Sequence, residues 1–291
     1  MDLLLKLAPL WPAVGIVAYF VVTFAYFAIR SRKGLLLVDK DVERRHASAI
    51  LGRYFRHYFM WLIRPIEQGI IKLGISPNAL TFTSLLIAAS SGFAIATGHF
   101  AWGGWLYILT GVFDLLDGRV ARATNRVSAS GAFFDSVMDR YAEMAVFAGY
   151  TYFYRDSWVI FAALAATLGS IMVSYARARG EALSVDVNVG MMQRPERLVY
   201  MGVSTALAPI FEALLGHGAL PVYPMVVGVL ILLAVSTNLT AYRRIIHTIA
   251  ELERRASPAA KPAPVAVASA SKPAAAAKSA PAVVPLRAAQ N

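Results

Sequence analysis

The stretch that decides the fold is Phe113 to Asp139, which reads FDLLDGRVARATNRVSASGAFFDSVMD. It holds four aspartates, Asp114, Asp117, Asp135 and Asp139, in a chain that is 58% hydrophobic and only 15% charged. The first pair is three residues apart and the second pair is four apart, so each pair lies on one helix face. If a short connection sets the two helices side by side, all four carboxylates converge.

Small residues share these faces, because Gly118 and Ala121 lie beside the first pair and Gly131 lies one turn before Asp135. Bare carboxylates repel one another, by about 4 kcal/mol for two charges roughly 4 Å apart at an effective dielectric constant of about 20. A divalent cation relieves this repulsion, and all-oxygen ligands favour Mg²⁺, Mn²⁺ or Ca²⁺. Four aspartates suffice for two ions, which suits phosphoryl transfer, and Arg122 is placed to hold phosphate oxygens. The alternative, that the aspartates only cap helix ends, does not explain this spacing.

The rest of the chain predicts an all-α polytopic membrane protein, because about 20 consecutive apolar residues span a bilayer. Ser76 and Pro77 predict the start of the first core helix. Between Leu51 and Leu73, apolar residues recur at three- and four-residue spacing with charged residues between them, which predicts an interfacial amphipathic helix. The alternative is an amphipathic helix packed on a soluble domain. The seven predicted spans are about 11–29, 79–97, 102–121, 132–153, 157–175, 197–215 and 221–241.

These elements divide the chain into five parts. A six-helix catalytic domain follows one extra N-terminal transmembrane helix and a basic segment that carries the amphipathic helix. From Ser257 onward the composition of Ala, Pro, Ser, Val and Lys predicts a disordered tail. The predicted parts are 1–30 (extra helix), 31–75 (basic segment), 76–245 (catalytic domain), 246–256 (charged helix end) and 257–291 (tail).

The net charge of +11 is concentrated in every second connection between the predicted spans. The positive-inside rule then places the N-terminus outside, with the tail and the aspartates on the cytoplasmic side, and we expect a bacterial inner membrane. This distribution of charge argues against a nucleic-acid partner. The chain has no cysteine, which excludes disulfides and thiolate metal sites.

The opening stretch resembles the signature of the CDP-alcohol phosphotransferases, which reads D-x-x-D-G-x-x-A-R, eight residues, G-x-x-x-D-x-x-x-D. Every position of that signature is matched here, and the resemblance covers about residues 76–245. It implies transfer of a phosphatidyl-type group from a CDP-linked lipid, usually CDP-diacylglycerol, to an alcohol, with release of CMP. It also implies a Mg²⁺ or Mn²⁺ cofactor and a homodimer.

The resemblance also implies roles for individual residues. Asp139 would bind metal and deprotonate the acceptor hydroxyl. The metal ligands would be Asp114, Asp117, Asp135 and Asp139. The nucleotide and diphosphate site would be lined by Asn78, Thr81, Gly118, Ala121, Arg122 and Gly131.

The ends of the later spans carry more arginines than orientation needs, namely Arg177, Arg179, Arg194, Arg197, Arg243 and Arg244. Their segments, and DRYAEMAVF after Asp139, resemble the phosphatidylinositol-phosphate and archaetidylinositol-phosphate synthase branch of the family. That implies a phosphorylated acceptor such as inositol 1-phosphate, whose phosphate would be bound by Arg177, Arg197 and Arg244.

Three alternatives stay open. Phosphatidylglycerophosphate synthases usually carry a G-K-x-K-T-like segment where this chain has MMQRPERL, which argues against glycerol phosphate as the acceptor. Another family member could take an unphosphorylated alcohol. An ion-coupled transporter would need polar residues near mid-bilayer, whereas these aspartates lie near one end of their spans.

Overall fold

The computed structural model of the chain describes residues 11–32, 53–187, 189–190, 192–215 and 222–257. Within these residues there are eight α-helices and no β-strand, which confirms the predicted all-α fold. Residues 258–291 of the predicted tail and most of 31–52 lie outside the described residues. The helices are α1 Trp11–Arg32, α2 Arg53–Lys72, α3 Pro77–Ala96, α4 Phe100–Ala123, α5 Ala129–Phe153, α6 Val159–Ala182, α7 Arg194–Leu215 and α8 Pro224–Ala256.

The chain divides into two compact units, Met1–Leu252 and Glu253–Asn291. Every contact of the candidate site belongs to the first unit. Of the second unit, residues 253–257 are described, and there Ser257 N donates to Glu253 O at 3.0 Å.

Serine caps start the helices on which the site is built. Ser76 Oγ accepts a hydrogen bond from Ala79 N at 3.2 Å, and Pro77 is the first residue of α3, as predicted. Ser128 caps α5 in the same way, since its Oγ accepts from Gly131 N at 3.0 Å. A capping side chain satisfies one of the backbone N–H groups that a helix start leaves unpaired. Both starts are therefore fixed by local sequence.

Glycines allow the core helices to approach closely. A Cβ on Gly92 of α3 would meet the backbone of Ala145 on α5, and a Cβ on Gly149 of α5 would meet the backbone of Gly92. Gly104 of α4 lies in the same way against the backbone of Ala206 on α7. Small residues at helix crossings are typical of membrane bundles. The shared core contains Ile95 of α3, Phe100 of α4, Phe147 and Tyr150 of α5, Ala163 of α6, Met201 of α7 and Leu230 of α8.

The outer surface of this bundle is apolar. Phe93 and Phe161 are each 72% exposed. Among the described helices, three are long and apolar enough to cross a membrane, namely α3, α6 and α8. The helices α4, α5 and α7 have similar lengths, 24, 25 and 22 residues, and they carry several of the charged residues of the candidate site. An apolar exterior around a packed apolar core is the arrangement of a helix bundle in lipid.

Helix α2 packs its buried side against the ends of α3 and α4. Ile63 and Ile70 form a second core cluster together with Leu80, Leu116 and Val120. Glu67 lies on this buried side and is only 8% exposed, whereas the neighbouring Ile66 is 52% exposed. The position of α2 in a membrane interface stays a prediction.

Polar contacts connect α1, α2 and α4 in series. Glu67 is buried because its Oε2 accepts from Arg119 Nε at 2.9 Å and lies 2.8 Å from Arg119 Nη2. Arg119 belongs to the stretch of α4 that carries the first aspartate pair. At the other end of α2, the Tyr58 hydroxyl lies 2.7 Å from Thr23 Oγ1 of α1, and Phe27 packs edge-on against the Tyr58 ring. The two N-terminal helices are thereby attached to the end of α4 on which the site is built.

Candidate active site

Three of the four aspartates converge between α4 and α5. Asp114, Asp135 and Asp139 each offer a carboxylate oxygen, and these atoms all lie within 4.8 Å of one another. The side chains of Asp114 and Asp139 are 27% and 19% exposed, so the cluster is shielded but reachable. The short connection between the helices brings three of the four predicted carboxylates together.

Asp117 lies deeper than the other three and is held by α3. It is 3% exposed, and its Oδ2 accepts a 2.6 Å hydrogen bond from Thr81 Oγ1. The charges of Asp114 and Asp135 act on it. Thr81, which the resemblance assigned to the nucleotide site, therefore also orients a candidate metal ligand.

One cation enters the carboxylate cluster. Arg194, the first residue of α7, places Nη1 2.8 Å from Asp114 Oδ2 and 2.8 Å from Asp139 Oδ2. The sequence showed Arg194 only as one of several arginines at helix ends. Its partner Asp114 is 80 positions away along the chain, so the contact depends on the packing of α4 against α7.

The carboxylate cluster fits a divalent cation. Asp135 Oδ1 is buried and has no hydrogen-bond partner among the described residues. A buried polar oxygen is costly unless something binds it, and a cation would satisfy it. Asp114 and Asp139 also offer carboxylate oxygens to the site. Hard ions such as Mg²⁺ and Mn²⁺ prefer oxygen ligands of this kind. The residues present are therefore suited to the predicted metal.

The residues assigned to the nucleotide lie at the same end of the bundle. A Cβ on Gly118 would lie 3.3 Å from Arg122 Nη1, so the arginine lies close over the glycine, and Ala121 is half-buried beside them. A Cβ on Gly131 would lie 3.6 Å from Asn78 Oδ1, so the starts of α3 and α5 are adjacent. Asn78 and Arg122 are both exposed. Their role in nucleotide binding stays a prediction.

Two of the predicted acceptor arginines differ in their surroundings. Arg177 is exposed, and its Nε donates to Glu181 Oε1 at 2.8 Å within α6. Arg244 of α8 is 2% exposed and donates to Val189 O at 2.9 Å and to Val173 O at 2.7 Å. The positive charges of Arg177 and Arg197 and the negative charge of Glu181 all act on Arg244.

The third arginine forms a buried ion pair that the sequence did not reveal. Arg197 is 1% exposed, and its Nε and Nη2 donate to Glu143 Oε1 at 2.6 Å and Oε2 at 2.9 Å. Glu143 follows Asp139 by four residues on α5, and Arg197 follows Arg194 by three on α7. The pair therefore lies one helical turn from the contact between Asp139 and Arg194. An acidic residue one turn after Asp139 in an apolar helix was the available signal.

Comparison with known proteins then decides the family. Residues 74–240 match the family model for CDP-alcohol phosphatidyltransferase. The chain belongs to the CDP-alcohol phosphatidyltransferase family. The predicted family is thus confirmed, and with it the assignment of the chain as a metal-dependent transferase and an integral membrane protein.

Relatives within the CDP-alcohol phosphatidyltransferases include enzymes of the predicted branch. The phosphatidylinositol phosphate synthase of Streptomyces avermitilis is 36% identical over 171 residues, which covers 56% of this chain and 70% of the relative. The archaetidylinositol phosphate synthase of Methanothermobacter thermautotrophicus is 32% identical over 145 residues, covering 50% and 72%.

Solved structures of a CDP-alcohol phosphatidyltransferase with a similar fold come from Mycobacterium tuberculosis phosphatidylinositol phosphate synthase. The structure with CDP-DAG bound has a TM-score of 0.56 and 25% identity, covering 69% of this chain and 97% of that one. The structure in complex with manganese and citrate also has a TM-score of 0.56 and 25% identity, covering 64% and 88%. These relatives confirm the predicted fold.

Proposed function

We propose that this chain transfers a phosphatidyl-type group from CDP-diacylglycerol, or a similar CDP-lipid, to a phosphorylated polyol such as inositol 1-phosphate, with release of CMP. The observation that carries the proposal is the carboxylate cluster of Asp114, Asp135 and Asp139, which lies beside arginines from α7. The names of the relatives and the CDP-DAG held by one of them support the same reaction.

In the proposed reaction Asp139 accepts the proton of the acceptor hydroxyl. The acceptor oxygen then bonds to the phosphorus that carries the lipid, and the bond from that phosphorus to the CMP oxygen breaks. Asp114, Asp117, Asp135 and Asp139 would hold Mg²⁺ or Mn²⁺, as two ions in this proposal, and the bound metal would neutralise charge on the diphosphate. A free aspartate has a reference pKa near 3.9 and is a weak base at neutral pH, so positioning must carry much of the rate.

The nucleotide end of the CDP-lipid is proposed to bind where α3, α4 and α5 meet. Small residues there leave the backbone approachable, and the exposed Arg122 supplies a positive charge for phosphate oxygens. The residues assigned to this end are Asn78, Thr81, Gly118, Ala121, Arg122 and Gly131.

The acceptor phosphate is proposed to bind at Arg177, Arg197 and Arg244. Two of these arginines already have an acidic partner, since Arg177 pairs with Glu181 and Arg197 with Glu143. A dianionic phosphate would accept charge-assisted hydrogen bonds from the donors that remain. An unphosphorylated alcohol offers no such anion, which favours a phosphorylated acceptor.

The acceptor assignment is tested with the purified protein in detergent, CDP-diacylglycerol and Mg²⁺. CMP release is measured with inositol 1-phosphate, glycerol 3-phosphate or free inositol. We expect the highest kcat/KM with inositol 1-phosphate and little activity with free inositol. A preference for glycerol 3-phosphate would instead support a phosphatidylglycerophosphate synthase, and no CMP release with any acceptor would contradict the proposed function.

The site is proposed to face the cytoplasm of a bacterial inner membrane, with the N-terminus outside. The support is the alternation of basic and nearly neutral connections along the sequence. A reporter fused after Asn291 should be cytoplasmic, and a tag placed before Met1 should be accessible from outside intact cells. An inaccessible N-terminal tag would contradict this topology. The homodimer that the family resemblance implies is checked by light scattering in detergent.

A further inference from the structure

We infer that Glu143 is a positioning residue that orients Arg197 for the phosphate of the acceptor. The inference rests on the proposed function, because it takes Arg197 to be an acceptor ligand. It is carried by the paired contacts between Glu143 and Arg197 at 2.6 and 2.9 Å, and by the place of this pair one turn from Asp139.

Among the described residues, the hydrogen bonds of Arg197 leave one edge of its guanidinium group without a partner. An arginine has five N–H donors, one on Nε and two on each Nη. Nε and one donor of Nη2 bind Glu143, and one donor of Nη1 binds Met192 O at 3.3 Å. In the part of the chain that the structure describes, one donor therefore remains on Nη1 and one on Nη2, and such a pair can bind two oxygens of a phosphate. Glu143 selects that edge by occupying the other one.

The burial of the pair argues that it does more than join α5 to α7. Arg197 and Glu143 are 1% and 3% exposed. Taking two charges out of water is costly, and apolar side chains of similar size commonly stabilise a helix crossing as well or better. A contact between the hydroxyl groups of Tyr150 on α5 and Thr205 on α7 already joins these two helices without charges. The ion pair adds a guanidinium group whose orientation is fixed beside the carboxylate cluster.

Removing the charge of Glu143 should therefore weaken binding of the acceptor and leave binding of the CDP-lipid unchanged. In Glu143→Gln the side chain keeps its size, but its amide group offers one acceptor oxygen in place of two. Arg197 then loses one of its two bonds to residue 143, and its Nη fork is no longer held toward the acceptor. We expect the KM for inositol 1-phosphate to rise about tenfold or more, with the KM for CDP-diacylglycerol unchanged.

The test is a double-mutant cycle on the full chain in detergent, with CDP-diacylglycerol, inositol 1-phosphate and Mg²⁺. It compares wild type, Glu143→Gln, Arg197→Gln and the double variant, because residues that act through one another give non-additive effects. We expect the acceptor KM of the double variant to lie within about twofold of that of Arg197→Gln. If the two rises in KM multiply instead, Glu143 does not act through Arg197 and the inference is wrong.

A merely structural role would appear in other measurements. If Glu143 only stabilises the fold, Glu143→Gln should lower the thermal unfolding midpoint and reduce the folded fraction, which lowers kcat while both KM values stay unchanged. That result would overturn the inference. Glu212→Gln is a matched control, because Glu212 is half-buried near the end of α7 and accepts from Tyr223 N at 2.9 Å. Its acceptor KM should equal that of wild type.

If Glu143→Gln does not fold, Glu143→Asp provides the test. It retains the charge with a shorter reach and should raise the acceptor KM by a smaller factor. An unchanged KM in Glu143→Asp would then overturn the inference.

Two outcomes separate the inference from the proposed function. If wild type is active on inositol 1-phosphate and Glu143→Gln has an unchanged KM for it, the positioning role alone is refuted. Wild type that is inactive on every phosphorylated acceptor would refute the proposed function.

Discussion

The Asp135→Asn variant is expected to release CMP more than about 100-fold more slowly than wild type, because losing even an outer-shell partner of a metal ligand costs about 10- to 100-fold. Asparagine keeps the shape of the side chain but removes the negative charge that a cation needs. The buried Asp135 Oδ1 has no hydrogen-bond partner among the described residues, so its main use is to bind such a ligand. The measurement is CMP release with CDP-diacylglycerol across a range of Mg²⁺ and Mn²⁺ concentrations.

The same substitution should not destabilise the fold. Asp135 lies close to Asp114 and Asp139, and removing one of several clustered charges lowers their mutual repulsion. The thermal unfolding midpoint of metal-free Asp135→Asn should therefore equal or exceed that of wild type. Loss of activity without loss of stability would separate a ligand role from a structural one.

A matched control is available in the connection between α5 and α6. Asp156 is 86% exposed and pairs only at the surface with Arg155 at 3.3 Å, so Asp156→Asn should keep wild-type activity. Chelation with EDTA should abolish wild-type activity, and added Mg²⁺ or Mn²⁺ should restore it. Full activity of Asp135→Asn, or of wild type in excess EDTA, would refute the metal site.

The parts of the site that the sequence predicted are those set by local structure. Spacings of three and four residues place Asp114 with Asp117, and Asp135 with Asp139, on common helix faces. The cap at Ser128 and the short connection before it fix where α5 begins, so the meeting of the two pairs needs no distant contact. Most of the bundle was predictable too, because apolar runs of membrane length determine the helices.

The contacts that the sequence did not reveal join residues far apart in the chain. Arg194 and Asp114 are separated by 80 positions, and Arg197 and Glu143 by 54. The sequence shows the charge of each side chain but not its partner, because the partner depends on how α7 crosses α4 and α5. The same limit explains Glu67, which the helical pattern counted as a polar residue and which α4 buries through Arg119.

Arginines that are equivalent in the sequence have different surroundings in the structure. As sequence features Arg177 and Arg244 are equivalent, since each lies at the charged end of an apolar run. In the structure Arg177 is exposed and pairs with Glu181 on its own helix, whereas Arg244 is buried and holds backbone carbonyls of the α6–α7 region. Replacing these two arginines should therefore affect stability differently even if both bind the same phosphate.

Arg244→Ala is expected to raise the KM for inositol 1-phosphate by about ten- to a hundredfold, because one charge-assisted contact contributes roughly 1.5–3 kcal/mol. The KM for CDP-diacylglycerol should stay the same, since that end is proposed to bind at the aspartate cluster and Arg122. Some loss of stability should accompany the change, because Val189 O and Val173 O lose their donor. A smaller folded fraction lowers the apparent kcat but leaves KM unchanged, so the two effects are measured separately.

Arg243→Ala is the matched control, because Arg243 precedes Arg244 on α8, carries the same charge and is exposed. If the positive charge of this helix end were sufficient, both variants would weaken acceptor binding alike. If the position of Arg244 matters, Arg243→Ala keeps the wild-type KM and Arg244→Lys recovers only part of the loss, since lysine lacks the planar fork of arginine. A rise in the KM for CDP-diacylglycerol alone would show that Arg244 serves the donor, and the assignment of a phosphorylated acceptor to this arginine cluster would then be wrong. The transferase assignment would survive that result, because it depends on the aspartates of α4 and α5 and on the family match over residues 74–240.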